Sequence, residues 1–401
     1  MRPACPDCIA PRARRQRGLS IVGLMAGMTI GLFALLVVAQ VLGSSALHRR
    51  ATMGAADAQQ GGSLALWRLS RELRMAGAGL QNGPFVWGCR LNLSRAGDVL
   101  LPRASFPAPF DVLPGTLRVQ PVVVRDGGAG ASDLIVAMGA PPSSSNLPMS
   151  LAVVSPAAVS TGSTVGFVPG DLLLASSAAG IDDCFGGQVD STYVAVPGQP
   201  APTTVPTGQA AAPFNPLSGF AALPAGRDWL LLNLGASPML SMFGVLPGTG
   251  LVQLDLTAPA AAAPMAAAES VINMQVLLGV DDGSGGLADD NVIDRWVDAS
   301  AAPWDFATLS GPASAASQLR IKALRVALVV RSAERGGAQA PASVVAFPDL
   351  PAQSVTVPIA AADRAYRIQV YDSVIPLRNQ MAALCSEARR MRSIPQGGAC
   401  G

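Results

Sequence analysis

The chain has 401 residues, of which 50% are hydrophobic, 5% aromatic and 13% charged, with 42 glycines and 33 prolines. Charged residues run at about half the usual quarter of a globular chain, and glycine plus proline reach roughly 19% against a usual ~12%. That balance excludes a helical bundle, a coiled coil and a charged disordered tail, and suits a strand-and-turn protein with long loops. One histidine, His48, and one lysine, Lys322, leave a histidine-rich zinc site, a Ser-His-Asp triad in the main body and a Walker A loop without support. The formal charge of +2 is unevenly placed: residues 1–18 carry five arginines against Asp7, a net of +4, and the rest holds 23 basic and 25 acidic residues. A bulk nucleic-acid binder would keep positive charge in its body, so nucleic acid is not an expected partner.

The first element is Leu19 to Leu42, 24 residues without a charge. At ~1.5 Å per residue it is long enough to cross a ~30 Å hydrocarbon core as a helix. Arg12, Arg14, Arg15 and Arg17 flank its N-terminal end. The positive-inside rule then places the N-terminus in the cytoplasm and the remainder outside. A secretory signal peptide is the alternative, with Ser44-Ser45-Ala46 as its cleavage site, but the apolar run exceeds the 7–15 residues of a signal h-region. Gly23, Gly27 and Gly31 recur every four residues and form a small-residue stripe on which another helix can pack closely.

From Ser45 to about Ala76 the helical pattern continues in soluble form, with Leu64, Trp67, Leu69, Leu73 and Met75 among polar residues. Gly61-Gly62 is expected to weaken or kink this helix, and Ala76-Gly77-Ala78-Gly79 to end it. Beyond it, apolar runs predict strands at Leu134–Met138, Thr164–Val168, Asp171–Ala175, Thr192–Val196, Trp229–Leu234, Leu251–Leu256, Val271–Val280, Val292–Trp296, Ile321–Arg331, Ser354–Ile359 and Tyr366–Ile375. Pro-, Gly- and Ala-rich stretches such as Pro197–Pro216 and Ala258–Ala268 read as loops. The fold class expected is α+β: a long N-terminal helix packed on a large, loop-rich, mainly antiparallel β domain.

Arg17-Gly18-Leu19-Ser20-Ile21-Val22 sets a glycine between a basic leader and an unbroken apolar helix. This junction resembles the processing site of type IV prepilins. The resemblance implies cleavage between Gly18 and Leu19 and N-methylation of Leu19. Pilins usually carry Glu at the fifth mature position, where this chain has Gly23, a departure that fits a tip or initiating subunit better than a shaft subunit. The strings Leu69–Gly77 with Gly88-Cys89, Gly170–Leu174, Gln275–Asp281, Ala323–Arg331 and Tyr366–Asn379 resemble, in order, the blocks of the PilW-type minor pilins. That resemblance implies a minor pilin that primes assembly of a type IV pilus and sits at or near its tip, with roles in adhesion, twitching motility or DNA uptake. The partners implied are other minor pilins, the major pilin, the prepilin peptidase and a tip adhesin, with residence in the inner membrane before assembly. A type II secretion pseudopilin and a membrane-anchored periplasmic protein remain as alternatives, and an enzyme is not expected. The division expected is a leader at 1–18, a membrane and filament-core helix at 19–42, its soluble continuation at 43–80, a β-rich domain at 81–380 and a tail at 381–401.

Cys5 and Cys8 lie in the leader, and their C-x-x-C spacing supplies too few ligands for a zinc site. Cys89, Cys184, Cys385 and Cys400 would meet an oxidising compartment, where four cysteines allow three connectivities; Cys89–Cys184 and Cys385–Cys400 are favoured. Asp281, Asp282, Asp289, Asp290, Asn291 and Asp294 lie on a Gly-rich turn, the oxygen-rich and pliable setting that calcium requires, although the spacing is not that of an EF-hand. The other reading is a solvated turn between two strands, and no other cofactor is expected. His48, beside Arg49 and Arg50, reads as an interfacial or packing residue, and Arg378 with Arg389, Arg390 and Arg392 as a solvated basic cluster.

Overall fold

The computed structural model describes residues 20–80, 86–141, 147–155, 157–177, 183–195, 203–207, 212–215, 223, 228–335 and 339–380. Gly18, Leu19, Cys385, Cys400 and the arginines of the tail lie outside them. The chain forms two compact units, Met1–Met53 and Gly54–Gly401. Helix α1 runs unbroken from Ile21 to Leu73, 53 residues, and belongs to both.

Within the second unit the strands follow in chain order. They are β1 (Arg90–Arg95), β2 (Asp98–Leu101), β3 (Val122–Arg125), β4 (Leu134–Gly139), β5 (Met149–Ser155), β6 (Ala158–Thr161), β7 (Leu172–Ser177), β8 (Asp183–Gln188) and β9 (Thr204–Pro206). Then come β10 (Trp229–Gly235), β11 (Met239–Leu246), β12 (Gly250–Asp255), β13 (Met265–Ala268), β14 (Val271–Val280) and β15 (Arg295–Val297). The last are β16 (Ile321–Arg335), β17 (Ser343–Ala346), β18 (Val355–Pro358) and β19 (Tyr366–Pro376). An eight-stranded sheet has the order β2-β1-β8-β7-β10-β5-β6-β9, a five-stranded sheet β13-β12-β11-β4-β3, a four-stranded sheet β15-β14-β16-β19, and β17-β18 form a hairpin. Among the described residues every pairing is antiparallel except β1 with β8, so the α+β class holds, with 21% of them helical and 37% in strands.

Three apolar clusters hold the sheets together. The largest joins Ala58, Ala65, Leu69 and Leu73 of α1 to residues of the five- and four-stranded sheets. Along β16, Leu324, Val326, Leu328 and Val330 enter this cluster, while Ala327 and Val329 face a smaller one closed by Ala346, Phe347 and Val357 around the hairpin. A strand covered on both faces reads as a continuous apolar run, as Ala323–Val330 does. The third cluster packs Val159, Phe167, Leu173, Tyr193 and Leu231 against the eight-stranded sheet.

Several expectations are corrected. Gly61-Gly62 does not break α1, because the turn is held by packing rather than by propensity: Ala58, Gly62, Ala65, Leu69, Leu73 and Ala76 form its buried stripe. Leu64 and Trp67 lie off that stripe and are exposed. Two expected strands are turns instead, at Thr164–Val168 and at the described part of the second, residues 192–195: Phe167 N–H donates to the Thr164 carbonyl, and the Asp190 carboxylate accepts the Thr192 N–H. The loop reading of Ala258–Ala268 gives way at its end to β13, an edge strand that alanine does not announce.

Candidate functional site

Ile21–Gly43 is long and apolar enough to cross a membrane, and every side chain in it is exposed. Methyl groups placed on Gly23, Gly27 or Gly31 would meet nothing within 4 Å, so each of the three presents bare backbone. Their spacing of four puts them on one helix face, as expected from the sequence. No contact among the described residues accounts for three glycines there, although each lowers helix propensity by about 1 kcal/mol relative to alanine.

The second half of α1 is seated on the four-stranded sheet. A Cβ on Gly62 would run into the Tyr371 ring of β19, and one on Gly61 would stand 2.6 Å from the Ser270 hydroxyl oxygen. Gly54 is looser, with Ser332 Cβ at 3.6 Å from an added Cβ. The helix end is sewn down by polar groups: Gly77 N–H donates to the Met138 carbonyl at 2.8 Å and Ala140 N–H to the Ala78 carbonyl at 2.7 Å. The Asn379 amide donates to the orphan carbonyls of Arg74 and Ala76, each at 3.1 Å. Such carbonyls need partners once a helix stops inside a protein. Asn379 closes the Tyr366–Asn379 string, and here it ties that string to the helix.

Cys89 and Cys184 form a disulfide, with Cα atoms 5.6 Å apart across a separation of 95 residues. The bond lies in the parallel step between β1 and β8, where Leu91 stands opposite Cys184. Both cysteines are fully buried.

The acidic turn is more tightly wired than either reading of the sequence anticipates. Asp281 is fully buried, and its two oxygens accept the N–H groups of Asp289 and Asn291, each at 2.7 Å. Asp294 Oδ2 accepts the N–H groups of Asp282 at 2.9 Å and Gly283 at 2.6 Å. Asp282 pairs with Arg295 at 2.6 Å, and this guanidinium holds its carboxyl down at about 2. Asp289 faces Arg320 at 3.7 Å, and Asp290 accepts the Val292 N–H at 2.8 Å. Among the described residues no group of three or more His, Cys, Asp or Glu is arranged to hold a metal ion. The aspartate oxygens of the loop are thus engaged by backbone N–H groups and by arginines.

No sequence motif marks Lys322 as part of this turn. It is fully buried at the start of β16, with Nζ 3.8 Å from Asp281 Oδ2 and donating to the Leu319 carbonyl at 2.8 Å. Burial pushes its ammonium below the ordinary lysine value, and the charges of Asp281, Asp289 and Asp290 pull it back up. The signal was in the sequence: a lone lysine opening a buried apolar strand needs an acidic partner.

A second buried carboxylate joins two sheets. Asp133 accepts the N–H of Gly127 at 2.8 Å and of Val276 at 2.7 Å, so it ties the turn before β4 to the middle of β14. Asn273 and Gln275 of β14 donate to the carbonyls of Gly130 and Ala131 in the same turn. Burial, with Asp126 nearby, raises the Asp133 carboxyl to about 7 against the pull of its two N–H donors.

The profile of the PilW family, type IV pilus-assembly protein W, matches residues 248–379. That stretch contains β12 through β19, the acidic turn, Lys322 and Asn379. No curated protein and no solved structure matches the chain.

Proposed function

From the match of the PilW family, type IV pilus-assembly protein W, to residues 248–379, we propose that the chain is a minor pilin of that family. In this reading it anchors in the inner membrane by Ile21–Gly43, primes assembly and is incorporated at or near the pilus tip. The observation that carries the proposal is the pairing of the family's β blocks with an apolar helix whose small-residue face is bare. Mechanism here is exchange of packing partners. In lipid the helix gains nothing from hiding apolar area, so association depends on close backbone approach, which Gly23, Gly27 and Gly31 permit.

The rest of the chain serves that role as a rigid outer domain. Helix α1 enters its core as the stripe from Ala58 to Leu73, so a force on the helix is carried into the sheets through buried contacts. The disulfide closes a 95-residue span of the outer domain, which suits a subunit exposed to shear. Gly23 at the position where pilins usually carry Glu supports a place at the tip. The N-terminal domain order, cytoplasmic leader and outward β domain, follows from the arginines before Leu19.

The test is genetic and biochemical. Deleting the gene is expected to abolish or sharply reduce surface pili, and sheared pili from the parent strain are expected to contain the chain in amounts far below the major pilin. Normal piliation in the deletion strain, or absence of the chain from sheared pili, would refute the proposal. Replacing Gly27 by Leu is expected to reduce incorporation while the chain accumulates normally in the membrane.

A further inference from the structure

The acidic turn at residues 281–294 is closed around a buried lysine. Lys322 is the sole lysine. Its side chain and that of Asp281 are both 0% exposed, and they approach to 3.8 Å across the ends of β14 and β16. Asp281 N–H donates to the Arg320 carbonyl at 2.9 Å, and Asp294 N–H to the Val280 carbonyl at 2.9 Å, so both ends of the turn are pinned to the same sheet end.

The turn itself is shaped to serve the Asp281 carboxylate. Asp289 and Asn291, whose N–H groups point at it, have φ of 63° and 66°, the left-handed backbone that Asp and Asn adopt more readily than other non-glycine residues. Two N–H groups satisfy the oxygens but leave a full negative charge inside the protein, and a buried charge without a countercharge is strongly unfavourable. The Lys322 ammonium supplies the countercharge from below the turn. Arg295 and Arg320 act from its exposed side on Asp282 and Asp289, while Asp290 and Asp294 bind backbone N–H groups.

From this geometry we infer that Lys322 is the built-in cation of the 281–294 turn: its ammonium latches the turn onto the end of the four-stranded sheet, and the turn closes without a divalent ion. The latch replaces the calcium that the sequence pattern invites. It also fixes the presentation of Leu287 and Val292, which stand 76% and 60% exposed on the turn. The inference concerns the fold of the outer domain and stands apart from the pilus assignment.

The test uses the full chain in detergent with a serine protease that cuts after aspartate and glutamate and needs no metal ion, and cleavage at Asp289 and Asp290 is scored by mass spectrometry. For the unaltered chain, exchanging calcium for a chelator is expected to change the cleavage rate by less than about twofold. Lys322→Met is expected to raise cleavage in the turn by roughly a hundredfold, because it strands a buried carboxylate. The double variant Lys322→Met with Asp281→Asn is expected to regain most of the protection, since no unpaired charge remains. Should the single variant fail to fold, acylation of the native, chelated chain decides the question: Lys322 is expected to stay unmodified until denaturant is added. Faster cleavage of the unaltered chain on chelation, unchanged cleavage in Lys322→Met, or ready acylation of native Lys322 would each overturn the inference.

Discussion

The three glycines along the seated half of α1 are expected to respond to the same substitution with different signs. Glycine to alanine inside a helix gains about 1 kcal/mol from backbone propensity alone. At Gly54 the new methyl would rest 3.6 Å from Ser332 Cβ, an ordinary contact, so Gly54→Ala should stabilise the chain by most of that amount. At Gly61 it would stand 2.6 Å from Ser270 Oγ, and a hydroxyl turns away at little expense, so a smaller gain remains. At Gly62 the methyl meets the Tyr371 ring of β19, which lies against the helix and donates its hydroxyl hydrogen to Gln369. Forcing an extra methyl into such a contact typically destabilises by 1–3 kcal/mol, so Gly62→Ala should be neutral to about 2 kcal/mol less stable. Denaturant unfolding of the three variants, followed by tryptophan fluorescence, gives the comparison. Equal stabilisation by all three alanines would refute the claim that Gly62 exists for close approach, and would restore the view of these glycines as mere helix weakeners.

Other outcomes follow from the buried groups. Replacing both Cys89 and Cys184 by alanine releases a 95-residue constraint, for which chain entropy gives a loss of up to about 4–5 kcal/mol; a loss under about 1 kcal/mol in denaturant unfolding would contradict a structural role for the bond. The Asp133 carboxyl is raised to about 7 in the fold from an ordinary value of 3.8. The fold therefore favours its protonated form, so this group's contribution is fully present below pH ~4 and is lost as pH rises through about 7. Asp133→Asn, which keeps the neutral form at every pH, should flatten the decline in Tm between pH 4 and 7, and a parallel decline in both proteins would refute it. Asp282, held at about 2 by Arg295, acts in the opposite direction: its contribution is present above the ordinary carboxylate value and fades only in strong acid.

How much of this was legible beforehand varies with the kind of interaction involved. Val271–Val280 was read from the sequence and is β14 to the residue, because a strand buried on both faces writes an unbroken apolar run. Ile321–Arg331 was read and continues to Arg335, since its last residues pair with Tyr366 at the sheet rim, where apolar content no longer marks the strand. β8, with the sequence Asp-Cys-Phe-Gly-Gly-Gln, has little strand propensity and is held by neighbours on both sides and by the disulfide. Gly61-Gly62 was misread because a glycine's effect on a helix depends on what lies across from it, here Ser270 and Tyr371, which are about 200 and 300 residues away in sequence. The acidic turn was found as a cluster, but its countercharge was not: Lys322 lies 41 residues beyond Asp281 by residue number, and no local pattern links the two.

Entry of this chain into a pilus as a processed subunit is tested most directly by the N-terminal peptide of the chain isolated from membranes. Mass spectrometry is expected to find Leu19 as the terminal residue, carrying one methyl group, with the arginine-rich leader gone. A terminus at Met1 would mark a plain membrane anchor, and one at Leu47 a secreted domain; either result would contradict the assignment.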